Sequence, residues 1–212
     1  MRLLIKQNSE RDCEENSERI KMKEIVTLGD LELNLEELAS FLVDANKEAY
    51  SGQNRHLLTD VGTKKFVFRD KKGKFYFSDE SRGDYQFGGT KTVEMDAHKA
   101  DLPEGDWRTI WQMNYFGGVL PEFIGDKKIA EQVESVLRKA LSQITIEKPF
   151  RGPGHYSEGI GIYNLPEFRG DIKKFKGTEE MGLTEVPKNY RKRGDTGRYP
   201  VYSLDFHGGL II

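Results

Sequence analysis

The sequence predicts an α+β protein in which one helix followed by an antiparallel sheet occurs twice, the copies related by a pseudo-twofold axis. Three observations predict it. Apolar residues recur at helical spacing after Asn34 and again after Asp126. Gly and Pro divide the rest of the chain into short segments of strand character. Two features of the first half also return in the second at nearly one offset. Arg82-Gly83-Asp84 returns as Arg169-Gly170-Asp171, 87 positions on (170 − 83), and Gly117-Gly118 returns as Gly208-Gly209, 91 positions on (208 − 117).

Taken in order, residues 1–33 are mostly polar and read as a mobile N-terminal segment. The first helix follows, with Leu35, Leu38, Leu42, Ala45 and Ala49 at spacings of three and four that place them on one face. Asn34, with Glu37 three residues on, supplies the N-cap pattern, and Ser51-Gly52 ends the run. Strands are expected at Lys65–Arg69 and Lys74–Ser78, a hairpin around Asp70-Lys71-Lys72-Gly73, and then at Tyr85–Phe87, Thr92–Met95 and Ile110–Phe116. The second helix carries Ile129, Val133, Val136, Leu137, Ala140 and Ile144 on its apolar face and stops before Lys148-Pro149. Further strands are expected at Gly159–Tyr163, Ile172–Phe175, Glu179–Leu183 and Pro200–His207. The helices keep the offset of 91, since Leu42 maps to Val133, Ala45 to Val136 and Ala49 to Ala140. The first repeat is therefore 34–124 and the second 125–212. Neither half alone covers its apolar sheet face, so residues 34–212 are expected to pack as one domain.

Composition narrows the function. The chain of 212 residues has a net charge of −2 and a sequence pI near 6.2, which argues against binding nucleic acid by counterion release. The basic run Lys188 to Arg193 sits among Pro and Gly and reads as a solvated loop. Cys13 is the single cysteine, so neither an intrachain disulfide nor a multi-cysteine metal site is available. His56, His98 and His155 are scattered without ligand spacing, so no metal and no cofactor is expected. No apolar run has the length of a signal-peptide core or a membrane span, and a cytoplasmic location is the expectation.

The paired glycine-ended strands are the most informative place for chemistry. Trp111, Met113 and Tyr115 alternate with Gln112, Asn114 and Phe116, and Tyr202, Leu204 and Phe206 alternate with Ser203, Asp205 and His207. The apolar sets are expected to pack on the helices. The other face then offers Gln112, Asn114, Asp205 and His207 as candidate ligand-binding residues, with Asp205 and His207 able to act as an acid–base pair. The plainer reading is a polar sheet face in water. Arg151, in the turn Pro149-Phe150-Arg151-Gly152-Pro153 between the halves, is a further candidate for a pocket wall.

The helix segment Phe41 to Tyr50, the Met113-Asn114-Tyr115 strand, the Pro149 to Pro153 turn and the Leu204 to Gly209 terminus together resemble an uncharacterised prokaryotic domain-of-unknown-function family. Its members stand alone or C-terminal to an Xre-type helix-turn-helix. The resemblance implies a regulatory setting but assigns no catalytic residue. The stretch before the first helix is too short for a helix-turn-helix, so no direct nucleic acid binding is expected. The leading functional expectation is a small-molecule-binding or sensor domain. A small hydrolase or isomerase using Asp205 and His207, and a protein-interaction or homodimerising module, are the alternatives. Whether the protein is an enzyme stays open at this level.

Overall fold

A computed structural model describes residues 24–50, 57–58, 62–97, 106–191 and 197–211. Cys13, His56, His98, Ser51-Gly52 and most of the N-terminal segment lie outside the described residues, as do Lys192 and Arg193 of the basic run.

The described residues open with a two-stranded hairpin, β1 (Ile25–Leu28) and β2 (Leu31–Asn34), ahead of the first element expected from the sequence. Leu28, Leu31 and Leu33 are buried, so this hairpin closes one edge of the core. Helix α1 (Leu35–Tyr50) begins where Asn34 Oδ1 accepts from the backbone N–H groups of Glu36 and Glu37, at 2.9 and 3.3 Å. Strands β3 (Leu57–Leu58), β4 (Lys64–Arg69), β5 (Phe75–Gly83), β6 (Gln86–Asp96) and β7 (Trp107–Val119) follow as an antiparallel meander. Helix α2 (Lys127–Leu141) is capped by Asp126, which accepts from Lys128 and Ile129. The chain then returns through β8 (His155–Glu158), β9 (Gly161–Asp171), β10 (Lys174–Leu183) and β11 (Tyr199–Leu210).

The large sheet has the order β3-β4-β5-β6-β7-β11-β10-β9-β8, every neighbour antiparallel. Two meanders thus meet at β7 and β11, where Tyr115 stands opposite Phe206. Both helices and the buried aromatic residues lie on one face. The α+β class and the antiparallel sheet are as the sequence predicts, with strands longer than expected. Ile172 is a correction of detail: with Lys173 it forms the turn between β9 and β10 rather than a strand.

The repeated Arg-Gly-Asp triplets end β5 and β9. Gly83 and Gly170 adopt φ near +100° and +99°, and a Cβ there would meet Gln86 O at 2.1 Å and Lys174 O at 2.0 Å. Only glycine fits such a turn. Asp171 accepts from the Lys173 N–H at 2.9 Å, whereas Asp84 pairs with the Lys64 ammonium at 3.3 Å.

An aromatic stack packs beneath the second half. Trp111, Phe150 and Phe175 lie nearly parallel, with Phe150 and Phe175 centroids 4.2 Å apart at 12°. Phe150 stands beside Arg151, and Asn46 of α1 donates to Pro149 O at 3.2 Å. The segment before β8 is thereby pinned between α1 and the sheet. No helix among the described residues is long and apolar enough to cross a membrane.

Candidate functional site

Strand alternation sends every second residue toward the helices, and three of those inward positions carry charge. They are Asp79 in phase with Phe75 and Phe77, Lys91 in phase with Val93 and Met95, and Glu179 in phase with Phe175 and Met181. Arg151 adds a fourth from the pinned segment. All four are buried, with Glu179 at 0% and Lys91 at 1% exposure. Charges are removed from water at this depth only when paired and hydrogen-bonded.

They are paired. Arg151 Nε donates to Glu179 Oε2 at 2.8 Å, and Nη2 donates to Oε1. Tyr202 and Tyr163 donate to the same carboxylate at 2.7 and 3.1 Å. Asp79 and Lys91 are cross-strand partners, their Nζ and Oδ2 atoms 3.6 Å apart, and Lys91 also donates to Asn46 Oδ1. Tyr115 donates to Asp79 Oδ1 at 2.6 Å. To do so its ring crosses β6 above Gly89, where a Cβ would stand 2.4 Å from the Tyr115 hydroxyl. Glycine at 89 is what lets a residue of β7 reach β5.

Tyr50, at the end of α1, joins the two pairs. Its oxygen accepts from Lys91 at 3.0 Å and from Arg151 Nη1 at 3.5 Å. Every buried side-chain nitrogen and oxygen among the described residues has a partner. Two cations and two anions form a neutral tetrad, strapped by tyrosines.

Burial, together with the neighbouring Asp79 charge, pushes the Tyr115 phenol far above its ordinary value. Burial and the Glu179 carboxylate do the same to Tyr163 and Tyr202, with Arg151 opposing. For Arg151 burial is the largest single influence and pulls downward, but the Glu179 charge, Tyr50, the hydrogen bonds to Glu179 and Tyr202 together outweigh it and hold the guanidinium well above its usual value. All three hydroxyls are therefore donors at neutral pH. A phenol of raised pKa keeps its proton in the folded chain after the unfolded chain has lost it. Its contribution to stability is complete below pH ~10, the ordinary phenol value, and declines as pH rises above that. Denaturant unfolding at increasing pH should accordingly show a loss of stability that begins above pH ~10. Phenolate absorbance from Tyr115, Tyr163 and Tyr202 should emerge only with unfolding. Titration of all nine tyrosines with the fold intact would contradict this arrangement.

Asp79 and Arg151 of the tetrad line one end of a cavity of about 620 Å³ between α1, α2 and the inner sheet face. Tyr85, Phe87, Val133, Leu137 and Val119 supply its apolar walls, while Tyr50, Asp79, Tyr115, Arg151 and Tyr202 line the polar end. The mouth carries further charge in balance: Lys64 pairs with Asp84 at 3.3 Å, and Arg138 with Glu134 at 2.6 Å.

Among the residues singled out from the sequence, Arg151 lines this cavity. Gln112, Asn114, Asp205 and His207 share the opposite face of β7 and β11 and do not. Asn114 is half-buried and accepts from Thr90 at 2.9 Å and from Gln112 at 3.1 Å. Asp205 is exposed and accepts from Thr178 at 2.6 Å, and the exposed His207 stands opposite Asn114. The sequence does not single out Asp79, Lys91, Glu179, Tyr50 or Tyr163 as site residues, and it places Tyr115 and Tyr202 only on the helix-facing side. The available signal was a charge in the apolar phase of a strand, as in Glu179, Met181 and Leu183.

Residues 79–211 match a protein family described as a domain of unknown function, DUF5680. No curated protein and no solved structure matches the chain. The match contains both ion pairs; Asn46 and Tyr50 lie ahead of it.

Proposed function

The chain belongs to the DUF5680 family, whose description names no activity, and from that premise we propose a small-molecule-binding domain of the sensor type. Its ligand occupies the cavity between α1, α2 and the inner sheet face. The observation carrying this reading is the meeting of apolar and aromatic walls with a polar end whose buried charges are all paired. Ligand sites are characteristically concave, mostly apolar, roughly 300–1,000 Å³, and fixed by a few placed polar groups. A domain needing only stability is served as well by hydrophobic residues as by a buried ion pair. Balanced charge at both the polar end and the mouth favours a ligand of no net charge.

A thermal-shift screen against neutral aromatic compounds tests the proposal. Hits should raise the melting temperature of the wild type but not of Leu137→Trp, whose indole fills the cavity. Equal shifts in both proteins, or no hit at all, would sink it.

The internal duplication belongs to the same proposal. The offset of 91 carries Tyr115 onto Phe206, and these two are register partners, as residues beside a twofold axis must be. Gly89 and Gly177 stand 88 apart (177 − 89), and each lies under one of those rings. Lys91 and Glu179 share that spacing (179 − 91). On this reading the halves diverged so that only Tyr115 kept a hydroxyl, leaving a one-sided site. A second family member whose equivalent strands pair out of this register would count against it.

A further inference from the structure

Most polar groups at the closed end of the cavity are committed to one another. Tyr115 gives its proton to Asp79 and Tyr202 gives its proton to Glu179. Lys91 directs its three N–H bonds toward Asn46, Tyr50 and Asp79. Arg151 spends two donors on Glu179 and turns a third toward Tyr50. Tyr50 is the exception. Its oxygen accepts from both cations, and no described residue accepts its own proton.

We propose that Tyr50 is the recognition residue of the cavity, donating its hydroxyl proton to a carbonyl oxygen on an uncharged, aromatic-bodied ligand. This rests on the cavity being a ligand site. Two cations drawing on one phenol oxygen polarise its O–H and fix its direction, because both lone-pair sides are occupied. The hydrogen bond from the buried Lys91 ammonium, at 3.0 Å, also holds the ring in place. A carbonyl oxygen suits such a donor. An anion does not: both cations already have carboxylate partners, and Asp79 sits in the same wall and repels it. Tyr85, Phe87 and Tyr115 offer ring faces and edges to a flat body.

The test uses three probes of one shape: 2-acetylnaphthalene, 2-ethylnaphthalene and 2-naphthoate, titrated calorimetrically into wild type and Tyr50→Phe. The ketone should bind wild type roughly five-fold tighter than the hydrocarbon, as one net hydrogen bond gives, and the advantage should vanish in Tyr50→Phe. The infrared carbonyl stretch of the bound, isotopically labelled ketone should move to lower frequency in wild type, a readout that needs no variant. Equal binding of ketone and hydrocarbon with an unshifted carbonyl overturns the role of Tyr50 and leaves the cavity reading standing. Tightest binding by 2-naphthoate overturns the neutral-carbonyl assignment. Binding of none of the three overturns the cavity reading itself.

Discussion

Glu179→Gln should cost about 3–5 kcal/mol of unfolding free energy, because it leaves Arg151 charged and buried with no anion opposite it. The substitution keeps the size of the side chain, so packing is nearly unchanged, but its single carbonyl oxygen can replace only one of the two carboxylate oxygens to which Tyr202 and Tyr163 separately donate. What disappears is the bidentate partner of a guanidinium exposed to only 5%. The segment holding Arg151 is pinned by Asn46 and by the Phe150 stack, which prevents the cation from swinging into water. Removing the cation as well, in Arg151→Met with Glu179→Gln, should restore much of the loss, since an uncharged pair has no desolvation deficit. Urea unfolding of the three proteins decides it. A single variant within ~1 kcal/mol of wild type, the range of a surface ion pair, would show that the charge is solvated.

Trp111→Ala should be comparably severe, about 3–5 kcal/mol as for large aromatic truncations in cores. Trp111 is fully buried and stacks on Phe150 and Phe175, and its Nε1 donates to Ile172 O at 3.2 Å. The truncation empties the stack and orphans the carbonyl of the turn between β9 and β10. For a chain of this size the melting temperature should fall by roughly 10 °C, at ~2–4 °C per kcal/mol. Phe150 adjoins Arg151, so relaxation of the stack should also loosen the polar end of the cavity. A drop of only a degree or two would mean that the neighbouring rings close the gap.

Much of the framework was legible because local chemistry and tertiary packing agree there. Asn34 and Asp126 cap the two helices as their spacing to the following apolar residues implies. Trp111, Met113 and Tyr115 face the core, with Tyr202, Leu204 and Phe206 beside them. The hairpin Ile25–Asn34 was less legible, because its two strands are only four residues each, too short for alternation to stand out. The polar end of the cavity was least legible. Lys91 and Glu179 read as ordinary surface charges until their strand phase is known, and that phase depends on strand ends set by pairing. Asp79 and Arg151 each meet their partner only through tertiary contact. The outer-face residues Gln112, Asn114, Asp205 and His207 were conspicuous for the opposite reason, since alternation alone brings them together.

On the proposed function, a ligand enters between the helices and the inner sheet face, not onto the outer one. Backbone amide chemical shifts recorded during titration with 2-acetylnaphthalene test it most directly. Perturbations should concentrate at Tyr50, Phe87, Val133 and Leu137 and saturate together. Perturbations centred on Asn114, Asp205 and His207, with the cavity residues unmoved, would contradict it.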